Sequence, residues 1–161
     1  MAPVVRALIA APDRFDSHVC VTAQHRTMLD QVLKVFGLET DHDLDLMAPG
    51  QTPAGVAAGV LQQLPAVLRR VRPDVVLVQG DTMTTFSAAF AAYLEKIPSG
   101  HIEAGLRTGD RWQPFPEEMN RVLTTRLAAI HFPPTPQARD ALLAEGIPAE
   151  ETNGEDGAGG E

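Results

Sequence analysis

Three acidic side chains stand where the acid–base site of an open parallel sheet would need them. Asp81 follows the apolar run Asp74 to Gln79 (DVVLVQ), Glu103 closes the run from Ile97, and Glu117 begins a helix after the turn Gln113-Pro114-Phe115-Pro116. Ligands of such sheets bind beyond the carboxyl ends of the strands. Carboxylates converging there suit proton transfer, because environments that push their pKa values apart separate an acid from a base. Each residue also has a plainer reading. Asp81 can cap the next helix, and Glu117 with Glu118 can simply favour the positive end of a helix dipole. Glu103, an acid at a buried strand end, calls for a partner such as Arg107. His101, two residues before Glu103, could be read as a metal ligand, but with no third ligand in view a satisfied structural histidine is the simpler reading. Gln24-His25-Arg26 follows another strand end and faces the same crevice, with the start of a surface helix as the alternative. The sequence contains no GxGxxG, no phosphate-binding P-loop and no Cys/His zinc spacing.

These residues need a scaffold, and apolar periodicity supplies one. Ala2 to Ala10 reads as a helix, His18 to Ala23 as a buried strand, and Arg26 to Phe36 as a helix stopped by Gly37. Thr40 to Gly50 reads as a loop. A helix follows over Pro53 to Val71, with a kink or break expected at Pro65, which lacks a backbone donor. Asp74 to Gln79 is the clearest strand, a continuous apolar run of the kind a parallel sheet buries on both faces. A helix over Thr82 to Glu95, a strand over Ile97 to Glu103, a helix over Pro116 to Leu127, a strand over Ala128 to Phe132 and a helix over Thr135 to Glu145 complete the alternation. Strands alternating with helices through short connections imply a doubly wound α/β sheet. Such domains normally open on a strand, whereas this chain opens in a helix, so the first strand is expected to be missing. Residues 149–161, acidic and glycine-rich, read as a disordered tail after a single domain over residues 1–148.

Composition narrows the classes. The 161 residues suffice for one domain, and 44% hydrophobic content is ordinary for a globular protein. A formal net charge of −8 argues against non-specific nucleic-acid binding. No apolar stretch approaches the ~20 residues of a membrane span, and no secretory signal is evident, so a cytoplasmic protein is expected. The single cysteine, Cys20, is read as a small buried hydrophobe.

Several ordered motifs carry a resemblance. Gln79-Gly80-Asp81-Thr82, His101-Ile102-Glu103-Ala104-Gly105-Leu106-Arg107-Thr108 and Pro116-Glu117-Glu118-Met119-Asn120-Arg121 closely resemble the non-hydrolysing UDP-N-acetylglucosamine 2-epimerases. So do Thr22-Ala23-Gln24-His25-Arg26 and Met28-Leu29-Asp30-Gln31-Val32-Leu33. The resemblance implies one Rossmann-like half of a two-domain glycosyltransferase-B-type architecture with the active site between the halves. It implies interconversion of UDP-N-acetylglucosamine and UDP-N-acetylmannosamine, by loss of the C2 proton, elimination of UDP to a 2-acetamidoglucal and re-addition of UDP. Neither a metal nor a redox cofactor is implied.

By similarity Asp81, Glu103 and Glu117 are the acid–base residues. Arg107 and Arg121 orient these carboxylates or meet the diphosphate, His101 is a binding or orienting residue, and Gln24 and His25 match an activator site for a second UDP-N-acetylglucosamine. The resemblance also places a first strand with a Gly-Thr-Arg-Pro-Glu turn before Met1 and a second domain after Gly146. The expected chain is therefore a fragment, inactive alone, whose partners are UDP-N-acetylglucosamine, a C-terminal domain or partner chain, and a second copy in a homodimer. Thr27 and Gly50 stand where polar or basic side chains would border the activator site. Other readings are a non-catalytic nucleotide-sugar-binding subunit, or the hydrolysing epimerase that releases UDP and free N-acetylmannosamine.

Overall fold

The computed structural model describes residues 1–22, 31, 33–46 and 50–152. The chain runs α1 (Ala2–Ile9), β1 (Cys20–Val21), β2 (His42–Asp43), α2 (Pro53–Val71), β3 (Val76–Gln79), α3 (Met83–Leu94), β4 (Ser99–Ile102), α4 (Glu117–Leu127), β5 (Ile130–Phe132) and α5 (Pro136–Ala144). Every pairing is parallel: β1 with β2, and β3–β4–β5 in that order, with Val78 beside His101 and His101 beside His131. Among the described residues no ladder joins the two sheets.

Local chemistry explains the elements. Thr52 caps α2 by accepting from Gly55 N–H at 3.1 Å, Pro53 fills the first turn, and Arg72 ends the helix in the left-handed region at φ 52°. Val56, Val60, Leu64 and Leu68 recur every four residues on its buried face. Val60, Leu64 and Leu68 meet Ala91 and Ala92 of α3 together with Leu44 and Leu46, forming the main core. Alanines on α3 let its backbone approach α2 closely. At Gly105, φ is 85° and a Cβ would lie 2.1 Å from the Ala138 carbonyl oxygen, so only glycine lets α5 pack against the loop after β4. Among the described residues no helix is long and apolar enough to cross a membrane.

Several expectations need correction. Helix α2 runs unbroken through Pro65, because its four-residue apolar stripe stays buried on both sides of that residue. The Thr40–Gly50 loop contains β2, which the β1 backbone recruits: Asp41 and His42 N–H both donate to Val19 C=O. The strand expected over His18 to Ala23 is only two residues long. Cys20 is exposed rather than buried. Its thiol is nevertheless pushed up to about 11, first by the protein surrounding the sulfur and then by Asp43, the opposite of a reactive thiolate. The expected disorder from residue 149 gives way to a 3-10 turn over Ala149–Glu151, after which the buried Thr152 bridges His131. Residues 153–161 lie outside the described residues, as does most of the helix expected over Arg26 to Phe36, of which 31 and 33–36 are helical.

Candidate active site

The site forms where β3 and β4 end and α4 begins. Gly80 turns the chain out of β3 at φ 79°, and Thr82, not Asp81, caps α3: its Oγ1 accepts from Thr85 N–H at 3.2 Å. Thr85 Oγ1 in turn donates to the Gln79 carbonyl at 2.6 Å. With capping taken over by Thr82, the Asp81 carboxylate is free to face across the crevice. Two α4 side chains fix it there. Asn120 Nδ2 donates to the Asp81 carbonyl at 2.9 Å, and Arg121 Nη1 lies 3.5 Å from Asp81 Oδ2.

Burial raises the Asp81 pKa, Arg121 opposes the rise, and the negative charges of Glu117 and Glu103 add to it. Glu103 and Glu117 therefore both lie near enough to Asp81 for their charges to act on it. Glu103 sits just past β4 at φ 69°, with its N–H donating to Phe132 C=O at 3.0 Å. A non-glycine residue in that region is uncommon, and such strain clusters at functional sites. Glu103 is paired not with Arg107 but with Gln79, whose Nε2 donates to Glu103 Oε2 at 3.3 Å. Gln79 Oε1 accepts from the Met1 amino group. Glu117 opens α4, half-buried, and among the described residues no hydrogen bond or ion pair holds its carboxylate.

The other predicted residues divide. Arg121 reaches one of the predicted carboxylates, Asp81. Arg107 does not reach the carboxylates: Nε and Nη2 grip the Glu145 carboxylate at 2.7 and 3.1 Å, and Nη2 also donates to Thr125 Oγ1 at 2.9 Å. It locks α5 against α4. His101 is fully buried, with Nε2 2.7 Å from the Gly80 carbonyl oxygen. It cannot touch a ligand in this arrangement, and it orients the Gly80–Asp81 turn from below. Burial, ahead of any neighbour, lowers its pKa to about 4, so the ring is neutral and Nε2 is the donor. Among the described residues no group of three His, Cys, Asp or Glu could hold a metal ion. Gln24 and His25 lie outside the described residues.

One residue escaped the sequence reading. Glu118, 3% exposed, accepts from Thr108 N–H and Gly109 N–H at 3.1 Å and from Arg121 Nε at 2.8 Å. Burial acts to raise its pKa, but the two backbone donors and Arg121 outweigh it and hold the carboxyl below the usual range. Glu118 therefore ties the 108–116 loop to the arginine that faces Asp81. The signal was present: Glu118, Arg121 and Thr125 fall at helical spacing on an inward face that is polar throughout.

Known proteins are similar to this chain in sequence and in fold. The sequence model of the family described as UDP-N-acetylglucosamine 2-epimerase matches residues 7–152. The Yersinia pestis UDP-N-acetylglucosamine 2-epimerase is 55% identical over 148 residues, 92% of this chain and 39% of the relative. The Escherichia coli enzyme of the same name is 52% identical over 147 residues, 91% and 39% of the two chains. A crystal structure of the Neisseria meningitidis UDP-GlcNAc 2-epimerase bound to UDP-GlcNAc superposes with a TM-score of 0.91 at 48% identity, covering 94% of this chain and 41% of that one. The Methanocaldococcus jannaschii enzyme in complex with UDP-GlcNAc and UDP gives 0.85 at 36% identity, covering 94% and 41%. This chain thus spans about 40% of the length of the relatives it matches.

Proposed function

Because this chain belongs to the UDP-N-acetylglucosamine 2-epimerase family, we propose that it supplies the acid–base half of an enzyme interconverting UDP-N-acetylglucosamine and UDP-N-acetylmannosamine. The reaction removes the C2 proton, expels UDP and returns both with inverted configuration at C2. The C2 proton is weakly acidic, so a positioned base and a stabilised leaving diphosphate must act together. Inversion also needs proton donors or acceptors on both faces of the ring.

The observation that carries this reading is Asp81 facing Arg121 while coupled to both Glu103 and Glu117. Burial raises the Asp81 pKa above the ordinary carboxylate value, which moves it toward the range useful for holding and releasing a proton. Glu117, with no protein partner among the described residues, is the complementary group, and Gln79 holds Glu103. This chain spans about 40% of its relatives' length, and alone it is expected to bind substrate without turning it over. The intact enzyme is read as a cytoplasmic homodimer feeding surface-polysaccharide synthesis.

The test is proton NMR in D₂O with UDP-N-acetylglucosamine, comparing the isolated chain with a chimera in which residues 1–150 replace the aligned part of the Yersinia pestis relative. The reading expects deuterium at C2 with the chimera and none with the isolated chain. A folded chimera that leaves C2 protonated sinks it.

A further inference from the structure

The 108–116 loop holds two aromatic rings that the acid–base chemistry does not use. Trp112 and Phe115 stack with centroids 5.9 Å apart at 28°, and they are 65% and 64% exposed. They line one open concavity of about 640 Å³ together with Thr108, Asp110, Gln113 and Pro114, within the size range of small-ligand clefts. The rings are exposed on a braced loop. Thr108 Oγ1 donates to the Gln113 carbonyl at 2.5 Å, Trp112 N–H to Asp110 Oδ1 at 2.9 Å, and Gln113 N–H to Asp110 C=O at 2.9 Å. Beneath it, Glu118 takes Thr108 N–H and Gly109 N–H and simultaneously holds Arg121. The platform and the residue facing Asp81 are therefore fixed to the same buried carboxylate. Phe115 stands two residues before Glu117.

We propose that the Trp112–Phe115 stack is a binding platform for the N-acetylhexosamine ring of the nucleotide sugar. This deepens the reading above and rests on it. The chemistry around the rings selects the sugar over the other parts of such a ligand. A pyranose offers an apolar C–H face to an aromatic surface and a rim of hydroxyls to polar neighbours. Here Asp110 and Thr108 supply that polar rim. The Asp110 carboxylate beside the rings disfavours a diphosphate in the same place. Arg111, with its guanidinium carbon 5.6 Å from the Trp112 ring centre, covers part of the indole and stiffens it. A sugar on this platform lies against the loop that leads into α4, whose first residue is Glu117.

Trp112 is the only tryptophan of the chain, so its emission is a local probe. The experiment titrates the chain with UDP-N-acetylglucosamine and, separately, with UDP, following Trp112 fluorescence and ligand-observed NMR, and repeats the NMR with Trp112→Ala, Phe115→Ala and Trp112→Phe. The platform requires an emission change with the sugar nucleotide. It also requires roughly tenfold weaker binding of UDP-N-acetylglucosamine in the alanine variants, recovery in Trp112→Phe, and unchanged binding of UDP. Unweakened binding of the sugar nucleotide in both alanine variants overturns the proposal, and so does an equal loss for UDP, which would make the rings a nucleotide contact. A fall in sedimenting mass for Trp112→Ala overturns it as well, because a second copy would then cover the rings. If the wild-type chain binds neither ligand, the nucleotide-sugar reading itself fails, an outcome distinct from the others. Both residues are exposed, and circular dichroism checks that the variants remain folded.

Discussion

Arg121 and Glu118, one helical turn apart on α4, form a buried ion pair at 2.8 Å with side chains only 9% and 4% exposed. The pair organises the crevice, because Arg121 turns Nη1 toward Asp81 while Glu118 draws in the loop that leads to Glu117. Breaking such a pair from one side leaves an uncompensated buried charge.

Replacing Arg121 with Met should therefore cost about 3–5 kcal/mol of stability. It should also raise the Asp81 pKa further, since Arg121 is the charge that opposes its rise. Urea unfolding measures the first effect, and carbon-detected NMR titration of the Asp81 carboxyl the second. An Asp81 titration identical to wild type would show that the 3.5 Å contact carries no electrostatic coupling.

Acid should destabilise the fold in a window set by His101. Its folded pKa is depressed from 6.5 to about 4, so the unfolded chain binds its proton first as pH falls. The stability is complete above pH ~6.5 and is lost on the way down to pH ~4, by about 3 kcal/mol at ~1.4 kcal/mol per unit. Glu118, also depressed, adds a loss below the ordinary glutamate range, whereas the raised Asp81 acts in the opposite sense, its strain relieved as it takes up a proton. Replacing His101 with Gln, which keeps an N–H donor for the Gly80 carbonyl, should flatten the pH 6.5–4 limb in denaturant titrations. A limb of unchanged steepness assigns the acid sensitivity elsewhere.

Arg107 should behave as a structural residue. Lysine cannot reproduce the two-pronged grip on Glu145, so Arg107→Lys should lose about 1–3 kcal/mol while leaving UDP-N-acetylglucosamine affinity within about twofold. A selective loss of affinity with unchanged melting would return Arg107 to the ligand.

Open sheet edges carry a further expectation. Among the described residues, β1 pairs only with β2, and β3 only with β4, and unpaired edges template association. The isolated chain should unfold at low denaturant and aggregate with rising concentration, as light scattering during a thermal ramp would show. A reversible, concentration-independent transition of a monomer contradicts this.

The helices were legible because their signals are local. Apolar periodicity over Pro53 to Val71 marked α2, and the helices expected from Thr82 and from Thr135 appear as α3 and α5, although the threonine caps that start them were not read. Motif wording located Asp81, Glu103 and Glu117. Partnerships were not legible, because they join distant segments. Arg107 meets Glu145 across 38 residues and Asn120 meets Asp81 across 39, distances at which spacing says nothing. Strand β2 was missed because His42–Asp43 has no apolar alternation and is ordered by partners distant in sequence, among them the Val19 carbonyl and Arg70. Cys20 was misread for a related reason: an apolar neighbourhood in sequence did not become a buried one when β1 gained a partner on one side alone.

The central claim is that Asp81, Glu103 and Glu117 move protons at C2 of a nucleotide sugar. Its most direct test is the rate of C2 deuterium incorporation into UDP-N-acetylglucosamine by the chimera carrying this chain, with Asp81→Asn, Glu103→Gln and Glu117→Gln introduced one at a time. The account predicts losses of about 10²–10⁴-fold in each folded variant. Exchange at the unsubstituted rate in all three would contradict it.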